Sequence, residues 1–183
     1  MNPAGALEYI LLTVIDIYIM IVLARFMLQL VRADFYNPVS QFVVKATSPV
    51  LNPLRRVIPG FGGLDIAAII LMLVLVALKL ALYFFLKGAL GLPILTMVIF
   101  FIKSVANTFL NFFLFSIFVS IILSWVAQGS YNPLADLLHQ ITEPVMGPAR
   151  KILPPMGGLD LSPMLVLLAI SAIKILFGLN GMP

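Results

Sequence analysis

The stretch Arg55-Arg56-Val57-Ile58-Pro59-Gly60-Phe61-Gly62-Gly63-Leu64-Asp65 returns later in the chain as Arg150-Lys151-Ile152-Leu153-Pro154-Pro155-Met156-Gly157-Gly158-Leu159-Asp160. Each copy runs through two cations, two aliphatics, a proline, a glycine pair and an aspartate, and the offset between copies is 95 residues. The same offset carries Tyr36 onto Tyr131, Asn37 onto Asn132, Pro38 onto Pro133, Thr47 onto Thr142, Pro49 onto Pro144 and Pro53 onto Pro148. Self-similarity at one fixed period is the sequence sign of an internal repeat. The chain accordingly divides into residues 1–90 and 91–183.

Composition sets the environment. Of 183 residues, 62% are hydrophobic and 10% charged, with a mean hydropathy of +1.16. Soluble domains carry about 25% charged residues, so this chain belongs to the membrane class. The net charge of +4 is scattered among apolar runs and forms no basic stripe, which argues against nucleic-acid contact. With no cysteine and the single histidine His139, disulfides, thiolate metal sites and histidine clusters are excluded, and no cofactor is expected. No cation precedes the first apolar run, and Glu8 and Asp16 lie inside it. That pattern is unlike a cleaved signal peptide.

Four apolar runs are candidates to cross a membrane: Ala6 to Leu30, Leu64 to Leu86, Ile94 to Ala127, and Leu161 to Leu179. Each approaches or exceeds the roughly 20 residues a crossing needs. The segments between the first and second runs, and between the third and fourth, are different in kind. Asn37-Pro38 and Asn132-Pro133 read as helix caps followed by proline at the first helical position. Apolar residues then recur at helical spacing, at Val39, Phe42, Val43, Ala46, Val50, Leu54 and Val57, and again at Leu134, Leu137, Leu138, Ile141, Val145, Ala149 and Ile152. Polar residues occupy the opposite face, so each segment reads as an amphipathic helix lying in the interface. Pro49 and Pro53 are expected to kink or split the first of them. The turn residues Pro59, Gly62 and Gly63, repeated as Pro154, Gly157 and Gly158, then redirect the chain, and Asp65 is placed to cap the next helix.

The fold class is therefore an all-α integral membrane protein, with four transmembrane helices in two parallel repeats of span, interfacial amphipathic helix and span. A pseudo-two-fold axis along the membrane normal relates such repeats. Arg32, Lys45, Arg55, Arg56, Arg150 and Lys151 concentrate on the connectors. The positive-inside bias then makes the connectors cytoplasmic and both termini periplasmic, in a bacterial inner membrane.

The doubled Tyr-Asn-Pro opening at 36–38 and 131–133, the Arg-Arg-Val-Ile-Pro and Arg-Lys-Ile-Leu-Pro phrases, and the twice-used Gly-Gly-Leu-Asp resemble the YggT family (YlmG-like) of small bacterial membrane proteins. The resemblance covers nearly the whole chain in the family's two-repeat form. It implies a role in osmotic-stress tolerance, membrane organisation and cell division, and no catalytic residues. The second copy departs from the first where Lys151 stands for Arg56, Pro155 for Gly60 and Gln140 for Lys45.

Two sets of residues are candidate sites. Arg55, Arg56, Arg150 and Lys151 are candidate contacts to lipid phosphates, worth about 1 kcal/mol per cation at an anionic leaflet; the plainer reading is that they are ordinary cytoplasmic anchors. Inside the spans, Lys79 corresponds to Lys174 and Asp16 to Asn111 at the same offset. Groups of this kind cost roughly 2.5–3.5 kcal/mol at a helix centre unless partnered. They are read as intramembrane polar pairs, Asp16 with Lys79 and Asn111 with Lys174, that either hold helices together or line a polar path. Glu8 is expected near Lys103. His139 with Asp136 and Glu143 looks like a histidine–carboxylate set, but these are neighbours on one solvated helix face and do not make an active site. The expected function is non-enzymatic: a membrane-organising scaffold, the alternative being a small oligomeric ion channel or transport-related protein. The expected partners are the bilayer and its anionic lipids, a second copy of the chain, or another membrane protein.

Overall fold

A computed structural model describes residues 3–126, 132–153 and 160–182. Among these residues there are six helices: α1 (Pro3–Leu30), α2 (Pro38–Val57), α3 (Ile66–Leu86), α4 (Ile94–Val126), α5 (Pro133–Ile152) and α6 (Ser162–Leu176). There is no strand among the described residues, only an isolated bridge between Phe61 and Leu64 in the turn after α2.

α1, α3 and α4 are apolar on all sides and long enough to cross a membrane. Their 28, 21 and 33 residues correspond to about 42, 32 and 50 Å, against a hydrocarbon core of about 30 Å. α6 is also apolar but has 15 residues, about 22 Å. The sequence predicts a helix from Leu161 to Leu179; the structure ends it at Leu176. The physical reason is the closing turn: Gly178 adopts φ +60°, and the Leu179 amide returns to the Lys174 carbonyl at 2.8 Å. This left-handed glycine ending is a common helix stop.

α2 and α5 are the amphipathic pair. Asn37 accepts from the Val39 amide at 2.8 Å and Asn132 from the Leu134 amide at 3.0 Å, with proline in the first turn of each. Neither helix is split by its prolines. Pro49 and Pro53 lie on the exposed side of α2, where a carbonyl freed by a missing amide is open to solvent. Ser48 and Thr47 donate back to the Val44 and Val43 carbonyls at 2.6 and 2.8 Å.

α1 packs on α3 and α2, and α4 on α5 and α6; α3 with α4, α2 with α5, and α1 with α4 join the two halves. The main core lies in the first half, around Ile19, Val22, Leu23, Leu51, Met72 and Val76, and a smaller cluster of Ile117, Met146, Ala149, Val166 and Ile170 serves the second. One polar bond crosses between the connectors, from Asn37 Nδ2 to the Pro133 carbonyl at 2.7 Å.

Candidate functional site

Two polar regions stand out, one at the corners where α2 and α5 end and one between the long helices. The first is the corner where an amphipathic helix turns into the next span. In the first copy, Gly62 and Gly63 take φ +61° and +82°, a left-handed pair that side chains with a Cβ adopt at a cost. The chain reverses there, and Asp65 reaches the Ala68 amide at 3.2 Å as the cap of α3. Its carboxylate also receives Arg55, through Nη2 to Oδ2 and through Nε to Oδ1 at 3.4 Å. Asp65 is almost completely buried, so the pair is a forked, charge-assisted contact shielded from water on one side. Gln29 closes the corner from α1 by donating to the Gly63 carbonyl at 3.2 Å.

The second copy repeats the lock with different partners. Arg150 Nε donates to Asp160 Oδ2 at 3.0 Å, and Nη1 to Glu143 Oε2 at 2.5 Å. Asp160 accepts the Ser162 amide at 2.9 Å, and the Ser162 hydroxyl donates to the Leu153 carbonyl at 3.2 Å. Partial burial pushes the Asp160 carboxyl up, but the bonds from Ser162 and from Arg150 outweigh it and hold the group below its ordinary value of 3.8. Arg150 is raised, chiefly by its bond to Asp160. Pro154, Gly157 and Gly158, the second copy of the turn motif, lie outside the described residues.

The four candidate lipid contacts thus divide into two kinds. Arg55 and Arg150 are engaged by aspartates ten positions downstream. Arg56 and Lys151 are exposed, with no ion-pair partner among the described residues. His139 lies 3.7 Å from Glu143 with both side chains largely exposed, while Arg150 holds that carboxylate more closely. No cluster of possible metal ligands occurs among the described residues.

Arg25 is the residue that sequence reasoning missed. It reads as a cation at the membrane edge, yet the structure buries it, with Nη1 making no hydrogen bond and the guanidinium 5.5 Å from the Phe35 ring centre. The available signal was its register: Arg25 falls three residues after Val22 and three before Leu28, both fully buried.

The second polar region lies between the spans. Lys79 Nζ donates to Asp16 Oδ1 at 2.5 Å, and Lys174 Nζ to Asn111 Oδ1 at 2.6 Å. A cavity of about 440 Å³ adjoins them, lined by Asp16, Lys79, Asn107, Thr108 and Asn111 with apolar neighbours. Asn107 is buried, and its Oδ1 has no partner. Glu8, predicted near Lys103, instead meets Lys87 at 2.8 Å. Lys87 ends α3, which packs along α1, whereas Lys103 lies against the end of α6. The bond to Glu8 raises the Lys87 pKa.

The family model described as CCB3/YggT matches this chain twice, over residues 4–86 and 93–180. The chain belongs to the CCB3/YggT family. An uncharacterised Pseudomonas aeruginosa protein is 51% identical, over 96% of this chain and 92% of its own length. The protein named YggT of Escherichia coli K12, also described as uncharacterised, is 39% identical over 93% of this chain and 88% of its own. A Vibrio alginolyticus protein is 37% identical over 95% and 94%. No solved structure matches. Family membership and the apolar helices make this a multi-pass membrane protein, and the doubled match falls on the two copies of the corner.

Proposed function

We propose that the protein is a non-enzymatic, polytopic inner-membrane scaffold that organises the bilayer and its neighbours, linked to envelope or osmotic-stress tolerance and to cell division. In this reading residues 1–90 and 91–183 are two parallel units of span, interfacial helix and span. α6 with its closing turn makes the fourth crossing, the shortfall in its length being met by bilayer thinning and by outward reach of Lys174. α2 and α5 lie at the cytoplasmic surface, and the termini face the periplasm. The partners are the bilayer with its anionic lipids, a second copy, or another membrane protein.

The observation that carries this reading is how the polar groups are used. Both intramembrane lysines are tied to groups of their own copy, Lys79 to Asp16 and Lys174 to Asn111, as are the first arginines of both copies of the repeated phrase at the corners. Contacts of this kind hold helices together and leave no file of carboxylates for a proton relay. The test is photo-crosslinking in living cells from the exposed apolar positions Val74 and Leu168, with growth of a deletion strain after osmotic upshift. A reproducible set of membrane-protein or self cross-links and a growth defect are expected. Uniform background cross-linking and unchanged growth would remove the scaffold reading.

One observation favours an ion-conducting oligomer as the second reading: the cavity of about 440 Å³ beside Asp16, Lys79 and Asn107. Potassium flux into proteoliposomes separates the two. A selective flux in the wild type that disappears in Lys79→Met/Lys174→Met would replace the scaffold with a channel.

A further inference from the structure

The two corners share an Arg–Asp lock but not a charge balance. In the first, Arg25 reaches in from α1 and lies within electrostatic reach of both Arg55 and Asp65. It is 8% exposed, so a guanidinium occupies the space beside the lock inside the protein. At the offset of 95 residues, Arg25 becomes Ser120 and Ser48 becomes Glu143. The second corner thus loses one cation and gains one carboxylate. Two guanidiniums around Asp65 are replaced by a single one, Arg150, held between Asp160 and Glu143.

The place of Arg25 is left open. Ser120, Ser124, Arg150 and Asp160 are the counterparts of Arg25, Gln29, Arg55 and Asp65. They line a cavity of about 530 Å³ together with Trp125 and His139. Most of these polar groups are acceptors toward the cavity. Ser120 and Ser124 contribute hydroxyl lone pairs, the Ser124 proton being held by the Ile121 carbonyl at 2.7 Å. Asp160 accepts one bond from Arg150 and one from the Ser162 amide, and a carboxylate has about four lone-pair sites. Glu143 stands beside this wall, bonded to Arg150 and 3.7 Å from His139.

The surroundings are those of a membrane surface. Trp125 favours the membrane–water interface, and the amphipathic α5 supplies one side of the cavity. Ile117 of α4 and Met164 of α6 carry the lining onto the apolar helices.

We infer that the cavity between α4, α5 and α6 at the second corner binds a cation bearing N–H groups, a primary ammonium or a guanidinium, supplied by an aminophospholipid headgroup or by a free organic cation. The ligand takes the place that Arg25 holds in the first copy and meets Asp160 and the two serine hydroxyls, with Glu143 alongside. Charge-assisted N–H contacts to a carboxylate are the strong kind. The inference goes beyond the scaffold reading. Only the lipid source rests on the interfacial placement of α5, and a free cation probes the cavity without a bilayer.

The test uses the full chain in a neutral detergent, with phosphatidylethanolamine and methylguanidinium as separate probes. Sodium chloride at matched ionic strength is the reference. The readouts are lipid adducts in native mass spectrometry and the thermal unfolding midpoint. Wild type is expected to retain phosphatidylethanolamine over phosphatidylcholine, whose quaternary ammonium has no N–H. Ser120→Arg, which installs the first copy's guanidinium, is expected to abolish that preference. Glu143→Gln should weaken binding roughly fivefold, the worth of one partly exposed charge pair. Asp136→Asn removes a carboxylate two turns away on α5 and should leave affinity unchanged. A response to phosphatidylethanolamine alone identifies a lipid headgroup, and a comparable midpoint rise with methylguanidinium identifies a freely entering cation. Equal retention of the two lipids with no methylguanidinium effect overturns the site, as does binding unaltered by Ser120→Arg and Glu143→Gln. The Glu143 side chain is 45% exposed, so its substitution carries the test should Ser120→Arg fail to fold.

Discussion

The first corner is filled where the second is hollow. Arg25, Gln29 and Asp65 close the first, with Arg25 and Asp65 buried and Gln29 bonded to the turn. Their counterparts are Ser120, Ser124 and Asp160, and these line an open cavity of about 530 Å³ together with His139 and Arg150 among others. The aspartate reflects this: its side chain is 3% exposed in the first copy and 34% in the second. The same Arg–Asp lock is therefore a buried contact in one copy and a solvated one in the other. Exposed pairs contribute about 0–1 kcal/mol, whereas breaking a buried pair costs about 3–5. A repeated motif does not imply a repeated energy.

The largest expected break in this comparison comes from the polar pairs between the helices. Asp16→Ala leaves Lys79 buried without a counter-charge and should cost about 3 kcal/mol, at the low end for a buried pair because the Asp16 side chain is 46% exposed. Asn111→Ala removes a neutral acceptor from Lys174 and should cost about 1–2 kcal/mol. Unfolding in detergent with a chemical denaturant would measure both. Equal losses would show that the charge at position 16 adds nothing.

Next comes the lock itself. Asp65→Asn removes both a helix cap charge and the partner of Arg55, and should cost about 2–3 kcal/mol. Asp160→Asn should cost about 1 kcal/mol or less. Tryptic cleavage after Arg56 and Lys151 is the local reporter, and faster cleavage at Arg56 than at Lys151 on matched substitution is expected.

Acid should open the second corner by way of Asp160. Its folded pKa lies below the ordinary 3.8, so its ionised form is favoured by folding. That contribution is fully present above 3.8 and is lost as pH falls through the lower, folded value. Arg150, whose pKa is raised by its bond to Asp160, stays charged throughout. Cleavage at Lys151 by an acid-active protease should rise below about pH 4, and this rise should vanish in Asp160→Asn. A rise that persists in the variant would place the titrating group elsewhere.

The smallest effect sharpens the contrast rather than breaking it. Gln29→Ala removes the bond to the Gly63 carbonyl and should cost at most about 1 kcal/mol, the value of one hydrogen bond. Ser124→Ala, at the corresponding exposed position of the second copy, should change stability by less. Thermal midpoints of the two variants would show whether corner stability depends on that side chain in the first copy; equal shifts would show that it does not.

Much of the local structure was legible. The Asn-Pro caps, the amphipathic stripes of α2 and α5, and the glycine turn after Ile58 follow from capping, periodicity and backbone sterics, all of which act within a few residues. The corner lock was half legible. Asp65 reads as a cap from its position before an apolar run, but nothing within ten residues says that Arg55 returns to it rather than facing lipid. Glu8 was misassigned to Lys103 because equal depth along two spans does not say which spans touch. α6 was drawn too long because hydropathy continues past Leu176, while the helix stops at the turn around Gly178.

The sequence by itself determined the membrane class, the doubled unit, the connector helices and the family, because composition and a constant offset need no three-dimensional partner. Tertiary structure alone decided which cations are engaged and which are exposed, that Arg25 is inside, and that α1 and α3 match charge for charge at Glu8–Lys87 and Asp16–Lys79 while Lys103 of α4 and Lys174 of α6 face no carboxylate among the described residues. Those outcomes depend on which faces of distant helices meet. A charge acts over a few ångströms, and the chain's order does not record which groups come that close.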